Sequence, residues 1–260
     1  MHTRRGGEGE ATVLLLHGLG ATGEVWRGLT DRLDAAWIAP DLPGHGRSET
    51  LGRYSFGRVA AELAELVPED RPVVVLGHSF GGVLALTLAS GWFRAPVAAV
   101  CGLGIKVRWS DDDLARARDQ AKRPPRRFAT REEAAERWLK VSGLHGLWPV
   151  RDVGAGVAET PEGWRVALDQ AAFGVGAPDM PGLLAACRAP VTLAAGEHDP
   201  MCPAEHLRDL VAEPVVLPGL GHNAHVEDPD AVVRLLQLGA NSPQIGEDGV
   251  GQGGAQVGGA

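Results

Sequence analysis

The amino-acid sequence predicts an α/β fold: a mostly parallel sheet with helices on both faces and an inserted helical cap. Three observations carry this. Short runs rich in Val, Leu, Ile and Ala recur at 12–17, 37–40, 73–76, 97–103, 191–195 and 215–217, each too short for a buried helix. Helix-like stretches lie between most of them, and strands separated by helices pair in parallel beneath helical layers. One interval, 104–186, breaks the alternation with charged helix-like segments at 111–122 and 131–141, four tryptophans and no comparable apolar run.

Taken in order, residues 1–10 are polar and glycine-rich and read as an edge hairpin or a loose end. The first buried strand, 12–17, runs into Gly18-Leu19-Gly20, a glycine turn ahead of an amphipathic stretch at 25–33. The strand at 37–40 ends in Asp41-Leu42-Pro43-Gly44-His45-Gly46-Arg47-Ser48, and 59–67 supplies the next helix. Pro72 punctuates the start of the strand at 73–76, and 83–89 follows as a run of strong helix formers. The interval 104–186 is expected to form the cap over the carboxyl edge of the sheet, with 1–103 and 187–238 as the core. The last helix, 230–238, precedes a Gly- and Gln-rich tail, 239–260, expected to be disordered because it has little to bury.

Composition narrows the function. With 260 residues, 44% of them hydrophobic, the chain can bury a large core. A net charge of −8 argues against nucleic acid, and the basic run Lys122-Arg123-Pro124-Pro125-Arg126-Arg127 beside Asp111-Asp112-Asp113 reads as solvated surface. No apolar stretch is long enough to span a membrane, and the early Arg4-Arg5 precedes a strand rather than a signal peptide. Cys101, Cys187 and Cys202 are widely spaced and odd in number, so a reducing cytoplasm is expected, with a small-molecule substrate and a monomer or homodimer. His198, Cys202, His206 and His225 lack the usual ligand spacing for zinc, and no metal or organic cofactor is implied.

The chemistry is expected at Gly77-His78-Ser79-Phe80-Gly81-Gly82. Glycines two residues either side of Ser79 let the chain reverse sharply from strand to helix with the serine exposed. A serine hydroxyl is a weak nucleophile unless a base takes its proton and a third group orients that base. His222 and Asp199 each follow a strand, and the ends of parallel strands share one edge. Asp111, after the preceding strand, is an alternative acid. Backbone N–H groups of Leu19 and Phe80 are the candidate donors to an oxyanion. His17 and His45 are read as loop organisers, and His78 as packing beneath the turn. Trp109, Trp138 and Trp148 are candidates for an apolar pocket wall.

In His17-Gly18-Leu19-Gly20, Asp41 to Ser48, Gly77 to Gly82, Gly196-Glu197-His198-Asp199 and Gly221 to Pro229, the chain resembles the α/β-hydrolases across about residues 12–238. The resemblance implies a serine hydrolase core with a cap domain at 104–186; the family's leading hairpin is shortened or absent here, a departure that concerns the edge of the sheet and not the site. Serine at the nucleophile position disfavours the dehalogenase and epoxide hydrolase branches. The expected activity is cleavage of a carboxylic ester, lactone or thioester through an acyl-enzyme on Ser79. Carbon–carbon bond hydrolysis or acyl transfer by the same residues is the alternative, and a small-molecule-sensing module is a third.

Overall fold

A computed structural model describes residues 1–240 of the chain. The expectation of a disordered tail concerns 239–260 and lies outside the described residues, except that 239–240 complete the last helix.

Seven strands form one sheet: β1 (Thr3–Gly6), β2 (Thr12–Leu16), β3 (Ala36–Pro40), β4 (Val73–His78), β5 (Val97–Leu103), β9 (Val191–Gly196) and β10 (Val215–Leu217). A second, three-stranded sheet of β6 (Arg127–Phe128), β7 (Val157–Thr160) and β8 (Gly163–Val166) lies within the insertion. The main order is β1-β3-β2-β4-β5-β9-β10, with every pairing parallel except β1 on β3. Thr3–Gly6 thus form an antiparallel edge strand beside β3.

Both faces of this sheet are covered, which is why its strands read as continuous apolar runs rather than alternating ones. In β2, Val13 and Leu15 pack in one core while Leu14 and Leu16 pack in the other. On the second face lie α2 (Phe56–Ala64) and α3 (Phe80–Ala89), the latter buried along its whole length. A helix apolar all round has to sit inside the protein, and α3 does so between α2 and strands β4 and β5. The first face carries the short α1 (Arg27–Thr30), which follows a 3₁₀ turn at Gly23–Trp26, and α9 (Pro229–Ala240).

The insertion between β5 and β9 contains α4 (Asp111–Ala121) and α5 (Arg131–Val141), as expected, and then departs from a purely helical segment. Strands β6, β8 and β7 pair antiparallel, in that order. They escaped notice because they are short, half-exposed and polar, with no apolar run to mark them. Its final helix, α6 (Met180–Ala186), packs against α3 in the second core. Short helices α7 (Ala204–Leu207) and α8 (Ala224–Glu227) follow β9 and β10. Among the described residues, no helix is long and apolar enough to cross a membrane.

Trp138 and Leu139 of α5 join the first core together with Trp26 and Leu15, so the insertion and the sheet share one apolar interior. Polar ties add to this. The Glu24 carboxylate accepts from the N–H groups of Gly154 and Ala155 at 3.1 and 2.9 Å. Gly46 N–H donates to Ala167 O, Asp169 N–H to Gly44 O, and Tyr54 Oη–H to the Asp169 carboxylate.

Candidate active site

The carboxyl ends of β2, β4, β5, β9 and β10 meet at one edge, where Ser79, Asp199 and His222 lie. Ser79 follows β4 at φ 51° and ψ −115°, a left-handed conformation that costs a non-glycine residue about 1–3 kcal/mol. Close approach of backbone enforces the flanking glycines: a Cβ on Gly77 would strike Gly81 O, and one on Gly81 would strike Leu16 O. Ser79 N–H donates to Leu103 O at 2.8 Å, pinning the turn to the end of β5. Among the described residues, Ser79 Oγ makes no hydrogen bond, and the N–H groups of Leu19 and Phe80 donate to no protein acceptor.

Asp199 and His222 are joined directly, Nδ1 to Oδ2 at 2.8 Å, with the carboxylate fully shielded and the imidazole slightly exposed. The other carboxylate oxygen accepts from the N–H groups of Met201 and Cys202 at 2.8 and 3.0 Å. An ionised carboxylate only accepts, so Nδ1 of His222 carries the proton and Nε2 keeps a lone pair for another donor. Gly104, the residue after Leu103, packs so closely that a Cβ there would lie 3.2 Å from Asp199 Oδ2 and 3.3 Å from His222 Nδ1. The same β5 terminus therefore holds Ser79 on one side and the Asp–His pair on the other. Asp111 occupies the exposed first turn of α4, whose cap is built by Ser110 and Asp113.

Two supports of His222 escaped the sequence reading. Glu227 accepts from the N–H groups of Gly221 (2.7 Å) and Asn223 (3.1 Å), bracing the backbone on both sides of the histidine. His78 donates from Nε2 to His222 O at 2.8 Å and lies against the His222 ring at 4.7 Å between centroids, the two planes inclined at 57°. An acid at the end of the short helix after a loop histidine is the signal that points to Glu227; only the fold reveals the second contact.

Four buried histidines surround this edge and are held neutral. His17 donates from Nδ1 to Gly18 O and accepts from Leu42 N–H at Nε2, which requires the neutral ring, and burial lowers its pKa to about 4. Burial, then His17, lowers His45 to about 3; burial, then His222, lowers His225 to about 3. His78 is pushed well below the ordinary value, first by burial and then by His225. A base whose pKa is depressed in the folded state is protonated first in the unfolded chain, so its contribution is full above about pH 6.5 and is lost as pH falls toward 4. Unfolding near pH 5 is therefore expected to be accompanied by proton uptake at these residues. Urea denaturation at half-unit steps from pH 7 to 4.5 measures this, and a flat stability curve there contradicts the neutral cluster.

The candidate pocket tryptophans are placed differently from one another. Trp138 is buried in the core against Gly156, Trp148 lies under the Arg27 guanidinium at 5.0 Å, and Trp109 is at the surface beside Lys106. Burial, and then the neighbouring Asp199, raises the Cys202 thiol to about 12. Among the described residues, no group of His, Cys, Asp and Glu is arranged to hold a metal ion.

Residues 13–235 match the family model described as "Alpha/beta hydrolase family". Lipase LipV of Mycobacterium tuberculosis is 43% identical over 94 residues, and the match spans only about a third of each chain: 35% of this one and 36% of the lipase. The 2-succinyl-6-hydroxy-2,4-cyclohexadiene-1-carboxylate synthase of Enterobacter sp. is 30% identical over 253 residues, covering 90% of this chain and 93% of that protein. Among solved structures, E-2-(acetamidomethylene)succinate hydrolase superposes with a TM-score of 0.77 at 20% identity, over 92% of this chain and 94% of the other, a likeness of fold.

Proposed function

Because the chain belongs to the alpha/beta hydrolase family, we propose that it is a hydrolase that cleaves a carboxylic ester, lactone or thioester through an acyl-enzyme on Ser79. The observation that carries this reading is the 2.8 Å bond of His222 to a buried Asp199, at the edge where Ser79 projects from a strained turn. His222 Nε2 takes the proton as Ser79 Oγ attacks the carbonyl, and Asp199 stabilises the imidazolium. The serine–base hydrogen bond forms when substrate is bound, as is common for catalytic contacts that are loose beforehand. N–H groups of Leu19 and Phe80 bind the developing oxyanion, a role for which their lack of protein acceptors suits them. His222 returns its proton to the leaving group. Water, deprotonated by the same nitrogen, then releases the acid.

The experiment is a burst assay with 4-nitrophenyl esters of graded chain length, followed by fluorophosphonate treatment and mass analysis of the labelled peptide. Stoichiometric release before steady state, with the adduct on Ser79, is the expected result. A second reading, carbon–carbon bond hydrolysis or acyl transfer by the same residues, is supported in that a relative similar over nearly the whole chain is named a synthase and not an esterase. An enzyme labelled at Ser79 but without a burst on any ester or thioester supports that alternative. No labelling at all refutes a serine nucleophile.

A further inference from the structure

Within the insertion, between α4, α5 and β8, lies a cavity of about 210 Å³ that the site described above does not use. Arg123, Arg126 and Arg137 line it, with Gln120, Gln170 and Val141. No carboxylate is in its wall, and among the described residues none of these three arginines forms an ion pair. Their neighbours do: Arg127 pairs with Glu162, and Arg116 with Asp113. The two glutamines are tied to each other, Gln120 Nε2 donating to Gln170 Oε1, and the Arg126 guanidinium stacks 5.0 Å from the Phe128 ring. Three arginines in one wall, none of them paired with a carboxylate, offer positive charge to an anion in a chain whose net charge is −8. Guanidinium groups suit carboxylate and phosphate because their donors form a planar fork.

Val141 connects this cavity to the site. Its side chain packs against Gly20, the residue after Leu19 in the loop following β2. We propose that the cavity binds an oxyanion, a carboxylate or phosphate, carried by the substrate at the end remote from the cleaved bond. Resting on the ester-cleavage reading above, this narrows the substrate to an acyl compound with an anionic terminus. Val141 thus stands between the loop that carries Leu19 and the wall that carries the three arginines.

Two matched pairs of substrates distinguish the sources of the anion. Mono-4-nitrophenyl esters of dicarboxylic acids from glutarate upward are compared with alkanoate esters of equal length, and coenzyme A thioesters with N-acetylcysteamine thioesters of the same acyl group. Preference within the first pair assigns a carboxylate, and within the second a phosphate. R126A/R137A is expected to lower kcat/KM for the preferred anionic substrate by roughly tenfold or more, mostly through KM. The neutral partner should be unchanged and the melting temperature should fall little, since both side chains are exposed and only the Arg126–Phe128 contact is lost. Added salt should erode the same preference. Absence of an anion preference in the wild type, or its survival in R126A/R137A, overturns the proposal. If the wild type turns over none of these compounds, the ester-cleavage reading fails separately. Calorimetric titration of adipate and inorganic phosphate into both proteins then decides: binding abolished in the variant sustains the cavity's role, and equal or absent binding refutes it.

Discussion

Ser79→Ala is expected to lower ester turnover by about 10⁶, to the level left by binding and oxyanion stabilisation alone, and to abolish fluorophosphonate labelling. The same change should leave the melting temperature nearly unaltered, because Ser79 Oγ has no hydrogen bond to lose and its N–H still donates to Leu103 O. Backbone strain at φ 51° persists, since alanine also carries a Cβ. The joint outcome, an inert but equally stable protein, separates a chemical role from a structural one. Turnover within tenfold of wild type, measured on protein free of contaminating esterase, removes Ser79 from the mechanism.

The second large effect concerns the residue that orients the base. Asn at position 199 can still accept from Met201 and Cys202 through its carbonyl oxygen. Its amide would then face His222 Nδ1 with donors, obliging that nitrogen to accept and placing the ring proton on Nε2. The base would lose the lone pair that Ser79 needs. A fall of about 10⁴ in kcat at neutral pH is expected for Asp199→Asn, with folding retained. Asp111→Asn changes only an exposed acid in the first turn of α4 and should cost a few tenths of a kcal/mol in helix stability. Steady-state kinetics on the two variants side by side settles the choice. A crippled Asp111→Asn beside a normal Asp199→Asn would move the acid to the earlier strand.

What was legible in the chain follows from the range of the forces involved. The parallel strands announced themselves because burial on both faces demands uninterrupted apolar residues, as in Thr12–Leu16 and Val97–Leu103. The tight turn at Ser79 was legible because only glycine tolerates the contacts of Gly77 and Gly81 with backbone oxygens. Side chains that act across long separations left no local trace. His78 reaches His222 over 144 residues, and Glu24 reaches Ala155 over 131. Strands β6 to β8 carry too few apolar residues to show a period of two. The basic run at 122–127 reads as solvated by composition, and only the placement of Arg137 on α5 beside Arg123 and Arg126 gives it a concave shape.

The ties that cross between the insertion and the sheet bear on how the protein comes apart. Residues 153–169 are hydrogen bonded to the loops after β2 and β3, and α5 contributes Trp138 to the shared interior. That half of the insertion has no hydrophobic centre of its own to retain once the sheet melts, so it unfolds with the sheet as one cooperative unit. Helix α4 is the opposite case: it has no buried residue and is held by its cap, by ion pairs of Asp113 with Lys106 and Arg116, and by its contact with the 3₁₀ segment Gln170–Val175. Its amides should exchange with solvent through local fraying at a small fraction of the global unfolding free energy. The wall of the arginine-lined cavity that α4 supplies through Gln120 is thus the side able to rearrange while the rest stays folded.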